Sequence, residues 1–412
     1  MRVTNMANLT IPSKAFALVA FALVAVLVAA ACGGVAVINV GSTTTTNEQG
    51  DSTEQNTETG GSSVAAGSSG DFVRVDEMKA ARQLHAAVKL DDGRAFVIGG
   101  RGPGANLNNT VYESAEIYDP AADEWTLTGD MKEQRHDLCG TLLSDGRVLA
   151  AGGRGKLNFA VLTAEIWDSA TGTWSSTGNM VTERDYTACV TLDDGRVLIV
   201  AGESEGYSLL DSAEVWDPAT GEWTETPAMS VTRARHTATL LDDGRVLVTG
   251  GGKIDPPYRK VTEIYDPVAN TWTVVAEMSS SRASHAAVKL TDGTVLVVGG
   301  KGKKLTTEIY DPTADTWTKV GVTEIPHSDA EAIVLTDGTV LLTGGVGHRI
   351  AAEIYDPATG EWSRINDMND TRYRHEMILL DDGKVLVIGG NGIEGLLAET
   401  ELFTPPGRRE RR

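Results

Sequence analysis

The sequence predicts an all-β protein, a ring of seven four-stranded blades, preceded by a targeting segment and a tether. Three observations predict it. One pattern recurs seven times, its closing glycine falling at Gly100, Gly153, Gly202, Gly251, Gly300, Gly345 and Gly390, at intervals of 53, 49, 49, 49, 45 and 45 residues. Periods of this size with short strands indicate a β-propeller or a similar array. An Asp-Gly pair stands between two apolar runs in every copy. Finally, Phe72, Trp125, Trp174, Trp223, Trp272, Trp317 and Trp362 repeat at the same intervals, but the series starts one copy early.

Each copy reads as four strands. "HAAVKL" and "RAFVIGG" flank the Asp-Gly step, a strong hairpin signal because Gly adopts the positive φ of a type I′ turn. Gly93, Gly146, Gly195, Gly244, Gly293, Gly338 and Gly383 all follow an Asp. "SAEIYDP" is the third strand, ended by a proline that has no N–H for a ladder. "WTLTGDM" is the fourth. After Gly390 the chain writes a third strand, "TELFTP", and no Trp follows. The isolated run "DFVRVDEM" at 71–78 is therefore the missing fourth strand of the last blade. It closes the ring and removes an open sheet edge.

The double glycine, the E-[IV]-[YW]-D-P block and the Trp about six residues beyond it resemble kelch repeats over residues 71–405. The resemblance implies a seven-bladed kelch-type β-propeller, its four-stranded blades set around a central channel.

Ahead of the ring, residues 1–14 carry Arg2 and Lys14 and no acid, and "AFALVAFALVAVLVAAAC" follows. This is the layout of a secretory signal. "AAAC-GG" resembles the lipobox of bacterial lipoproteins, which makes Cys32 the lipid attachment residue; Ala29 stands where that family usually has Leu. An uncleaved N-terminal helix is the alternative, because the apolar stretch continues to residue 40, enough to span about 30 Å. Ordinary secretion is a third reading. Each puts the body outside the cytoplasm, and the first two anchor it to the membrane. Residues 41–70 are Gly/Ser/Thr-rich with almost nothing apolar, a flexible tether. Residues 406–412 form a basic tail.

The 412-residue chain has a net charge of −21. No basic surface is available for phosphates, which excludes a nucleic-acid partner. A self-repelling monomer is expected. Cys139 and Cys189 would pair only with Cα atoms within about 7 Å. They are expected instead to be small buried hydrophobes.

Strand alternation sends the Asp-Gly and Asp-Pro turns to one face. The loops after the double glycine and the Met-to-Arg crossings go to the other. The glycine loops vary in length and composition, so binding is expected there. A residue present in every copy serves the blade. The third-strand glutamates, Glu116, Glu165, Glu214, Glu263, Glu308, Glu353 and Glu401, are accordingly structural acceptors rather than the paired carboxyls of glycoside chemistry. The Trp series is inter-blade packing.

The residue four after each Met is Arg82, Arg135, Arg184, Arg233, Arg282 and Arg372, with His327 in the sixth copy. These seven admit two readings. One is a clamp within the blades; the other is a cationic ring near the channel that binds an anionic ligand by bidentate contacts. They are the candidate binding residues. Departures from the repeat are further candidates: His136 and Asp137 in the second copy, Asp185 and Tyr186 in the third, "IPHSDAE" in the sixth. His85, His236, His285 and His375 recur at one register and are expected to be structural. As metal ligands they would have to converge, and a ring spreads them apart. No metal site and no cofactor are expected.

The expected function is a non-catalytic module, tethered outside the cytoplasm, that binds a protein or glycan on its loop face. The resemblance also implies an alternative, a carbohydrate- or alcohol-processing enzyme. One form is a copper oxidase similar to galactose oxidase, whose site uses two Tyr and two His; another is a sialic-acid-processing kelch enzyme. No Tyr–His set here matches the oxidase site, so no catalytic residue carries over.

Overall fold

The computed structural model describes residues 70–104, 110–252, 259–302, 305–347 and 350–406. The targeting segment with Cys32, the tether up to residue 69 and the basic tail from 407 lie outside the described residues.

Seven antiparallel four-stranded sheets form the body. Blade one comprises Ala86–Lys89, Ala95–Ile98, Ala115–Asp119 and Glu124–Leu127, from the innermost strand outwards. The innermost strands of blades two to seven are Cys139–Leu142, Ala188–Thr191, Thr237–Leu240, Ala286–Lys289, Glu331–Val334 and Glu376–Leu379. Each touches the next, and the seventh touches the first, so they wall a channel.

Closure happens as the sequence predicts. Asp71–Val75 pairs antiparallel with Thr400–Thr404, Phe72 opposite Phe403 and Val75 opposite Thr400. The two phenylalanine rings sit 4.8 Å apart. Arg74 adds an ion pair to Asp370 at 2.6 Å.

The second strand of every blade is fully buried, as at Val97 and Val248, and is apolar apart from Thr249 and Thr343 at its end. The cores lie between blades: Met78, Val97 and Trp125 of one cluster pack against Ile378 and Leu386 across the closure. Every Trp of the fourth strands donates its indole N–H backwards to the preceding blade. Trp174 reaches Gly129 O at 2.8 Å, Trp223 reaches Gly178 O at 3.0 Å and Trp125 reaches Thr400 Oγ1 at 3.3 Å. A sheet cannot bury both faces alone, so neighbouring blades complete each other's core.

Two expectations are corrected. The Asp-Gly turns are not type I′. Gly93 N donates to Leu90 O and Leu90 N to Arg94 O, a loop of three residues with only the glycine at positive φ, 85°. That is a type I turn with a left-handed glycine after it, and Asp92 Oδ1 fixes it by accepting from Arg94 N. In addition, Cys139 and Cys189 form a disulfide, their Cα atoms 5.7 Å apart. They occupy the first and second positions of neighbouring inner strands, and the propeller brings together residues 50 apart in sequence. No local pattern could show that.

Candidate functional site

The seven candidate ring residues lie beneath the loop face, fully buried. Arg82, Arg135, Arg184, Arg233, Arg282 and Arg372 have no exposed surface, and His327 is 1% exposed. Each arginine clamps its own blade. Arg135 Nη1 donates to Gly152 O and Thr163 O, both at 2.9 Å, and Nη2 to Glu165 Oε1 at 2.9 Å. Glu165 in turn accepts from the backbone N–H groups of Lys132 and Glu133, which fixes the crossing into the blade. Burial pushes the guanidinium pKa down and the glutamate opposes it. His327 spans the equivalent partners, Gly344 O at 2.7 Å and Glu353 at 2.9 Å. Every polar contact of the ring is thus internal, and the clamp reading accounts for all of them.

Two residues further along each crossing the chain surfaces at the channel mouth. Leu84, Asp137, Tyr186, Arg235, Ser284, Asp329 and Arg374 all hold a left-handed backbone, φ between 47° and 55°. Such a conformation costs roughly 1–3 kcal/mol at a non-glycine residue. Inter-blade hydrogen bonds impose it. Asp137 N donates to Leu84 O, Arg235 N to Tyr186 O, Ser284 N to Arg235 O, Asp329 N to Ser284 O and Arg374 N to Asp329 O, at 2.9 to 3.1 Å. The backbone repeats seven times, but the side chains do not.

These side chains rim a cavity of about 230 Å³. Arg235 lies over Tyr186, 3.6 Å from guanidinium carbon to ring centroid, and pairs with Glu203 at 2.5 Å. Arg374 reaches Asp329 at 3.4 Å. Asp137 accepts from His136 Nδ1 at 2.7 Å. Next to the mouth, Asp185 is buried against Arg154, and burial pushes its carboxyl up to about 6 despite that partner.

Under the rim lie the four recurrent histidines. Burial holds all four imidazoles neutral, His85 and His285 pushed down to about 3. His285 Nε2 meets Thr249 and Thr237, and His375 Nε2 meets Thr343 at 2.7 Å. His85 has no partner on either ring nitrogen.

Glu331 and Glu376 complete the lining. They open the inner strands of blades six and seven, where the other blades carry Ala86, Cys139, Ala188, Thr237 and Ala286. Burial pushes Glu331 up to about 8; burial and the neighbouring Glu331 push Glu376 up as well.

Of the departures from the repeat, Asp137, Tyr186, and Asp329 and Glu331 of "IPHSDAE" line the mouth, whereas His136 and Asp185 are buried outside its lining. Sequence reasoning missed Arg235, Arg374 and Glu376. Their signal was the variable second position inside R-x-x-H and the residue just after the His.

A kelch-motif family model matches residues 186–230 and 233–279, the third and fourth repeats. No curated protein matches the sequence. Among solved structures, a fungal alcohol oxidase of the AA5 family, in complex with copper, superposes with a TM-score of 0.68 at 17% identity, over 82% of this chain and 77% of that one. At that identity the likeness is one of fold. Among the described residues no three His, Cys, Asp or Glu side chains are grouped so as to hold a metal. The mouth tyrosine, Tyr186, is covered by Arg235.

Proposed function

We propose, from a seven-bladed β-propeller carrying kelch motifs, that this protein is a non-catalytic binding module that takes its ligand at the channel mouth. One observation carries the reading. Seven equivalent, strained positions share a backbone and differ in chemistry, offering an aliphatic, an aromatic, a hydroxyl, two acids and two guanidiniums. Where a repeat fixes the backbone and releases the side chain, the side chain is free to serve recognition. A concave site with a few convergent polar groups is the usual form of a ligand pocket.

The module works outside the cytoplasm, tethered by its N-terminal segment and lipidated at Cys32 or held by a single helix. The sequence of residues 1–40 supports this, and so does the Cys139–Cys189 disulfide, a bond that persists in oxidising compartments. The ligand is a protein or glycan group small enough to enter the mouth.

The test is capture on intact cells by cross-linking, comparing wild type with Tyr186→Ala and Arg374→Ala. Loss of capture with an unchanged melting temperature supports the mouth as the site. Full capture by both variants would remove it. Stoichiometric copper in the purified protein would favour the oxidase alternative. Fatty-acid labelling that survives Cys32→Ala would remove the lipid anchor.

A further inference from the structure

Resting on the reading of the mouth as a ligand site, we infer that Glu331 and Glu376 form a seat for a primary ammonium group carried by that ligand. Four observations lead there.

First, the two carboxyls stand at one register on adjacent inner strands and line one cavity. Among the described residues neither carboxyl takes part in an ion pair or hydrogen bond with the protein. All seven third-strand glutamates, by contrast, are engaged, as Glu116 and Glu401 are by arginine and backbone N–H groups. Nothing in the blade needs carboxyls at this position, since five blades do without them.

Second, the same cavity contains an unsatisfied buried acceptor. His85 is 4% exposed and has no partner on either nitrogen. In blade five the equivalent histidine, His285, reaches back to Thr237, which holds the register of Glu376 one blade before His85. A neutral imidazole supplies a lone pair, and burial keeps this one neutral.

Third, the cationic side chains of the rim already have counter-charges. Arg235 is paired with Glu203, and Arg374 with Asp329. The lining carries four carboxyls, Asp137, Asp329, Glu331 and Glu376, against these two guanidiniums. The net charge of −21 draws cations to the surface in general.

Fourth, the donor count fits an ammonium better than a metal ion. Calcium takes six to eight oxygens, and among the described residues no three acidic or imidazole groups are placed to share a metal. An ammonium has only three N–H donors to satisfy.

The titratable and charged groups that line the cavity with the pair fix the pH response. They are His85, His236, His285 and His375, all neutral, Asp329 and Arg374, which balance each other, Arg235, paired with Glu203, Asp137, beside His136, and Tyr186. Without a ligand the two carboxyls retain a proton well above the ordinary glutamate range. An entering ammonium displaces that proton to solvent, so binding strengthens as pH rises towards about 8.

The experiment titrates n-butylammonium chloride into the full-length protein and reads heat and melting temperature. Tetramethylammonium chloride, with the same charge and no N–H donor, sodium chloride and calcium chloride serve as controls. The expected result is saturable binding by n-butylammonium, weakened about tenfold or more in Glu331→Gln and in Glu376→Gln. Binding should also weaken between about pH 8 and about pH 5. Both variants keep the shape of the side chain and are expected to fold. Equal responses to tetramethylammonium or calcium, or full binding by both glutamine variants, would overturn the seat. If cell capture depends on Tyr186 while n-butylammonium has no effect, the ammonium seat fails and the mouth reading stands.

Discussion

Cys139 and Cys189 are joined across the boundary between blades two and three, Cα to Cα 5.7 Å, on the two inner strands that wall the channel. The bond closes a loop that contains the whole outer part of blade two. Such a cross-link is worth roughly 2–4 kcal/mol in small proteins. Cys139→Ala with Cys189→Ala should therefore lower the melting temperature, and reductant should lower that of the wild type but not of the variant. Alkylation of the denatured, unreduced protein should leave both residues unmodified. Two labelled thiols would remove the bond.

The buried clamps give a second prediction. Arg135→Ala strands Glu165 without its counter-charge, and breaking a buried pair costs about 3–5 kcal/mol. Arg135→Met together with Glu165→Leu should recover much of that loss, because the desolvated charges disappear together. Urea midpoints measure both. Equal destabilisation by the single and double changes would show that the carbonyl contacts to Gly152 and Thr163, not the ion pair, are what matter.

Deleting 71–78 should open the ring. It removes the strand opposite Thr400–Thr404, the Phe72–Phe403 contact and the Arg74–Asp370 pair, and exposes a sheet edge. Light scattering should then show association, with a lower melting temperature. Deleting 41–65 should change neither. A monomer of undiminished stability after the first deletion is the result that refutes closure.

The channel carboxyls predict a pH signature. Glu331 keeps its proton in the folded protein up to about 8, against 4.5 for its ordinary value. Folded protein then binds more protons than unfolded protein between those values, so stability is full below about 4.5 and declines as pH rises to about 8. Glu331→Gln should match the wild type at the acidic end and exceed it at the alkaline end. Parallel stability curves across the whole range would exclude a raised carboxyl.

The sequence by itself determined the blade count, the strand order and the closing strand. Double glycines, Asp-Gly steps and the offset Phe/Trp series are local signals that repeat, and repetition turns weak signals into a register. It also separated residues that serve every blade from those that vary, and so pointed to Asp137, Tyr186 and "IPHSDAE". The tertiary structure decided what lies next to what around the ring. Arg82 and Leu84 stand two residues apart in one R-x-x-H motif, yet packing divides them, sending the guanidinium of Arg82 inward and Leu84 to the mouth. Packing of each blade on the next likewise brings Cys139 to Cys189 and Glu331 to Glu376, about a blade apart in the chain. Contacts of that kind depend on how neighbouring blades are rotated about the channel, a property of the packed ring that no single repeat encodes.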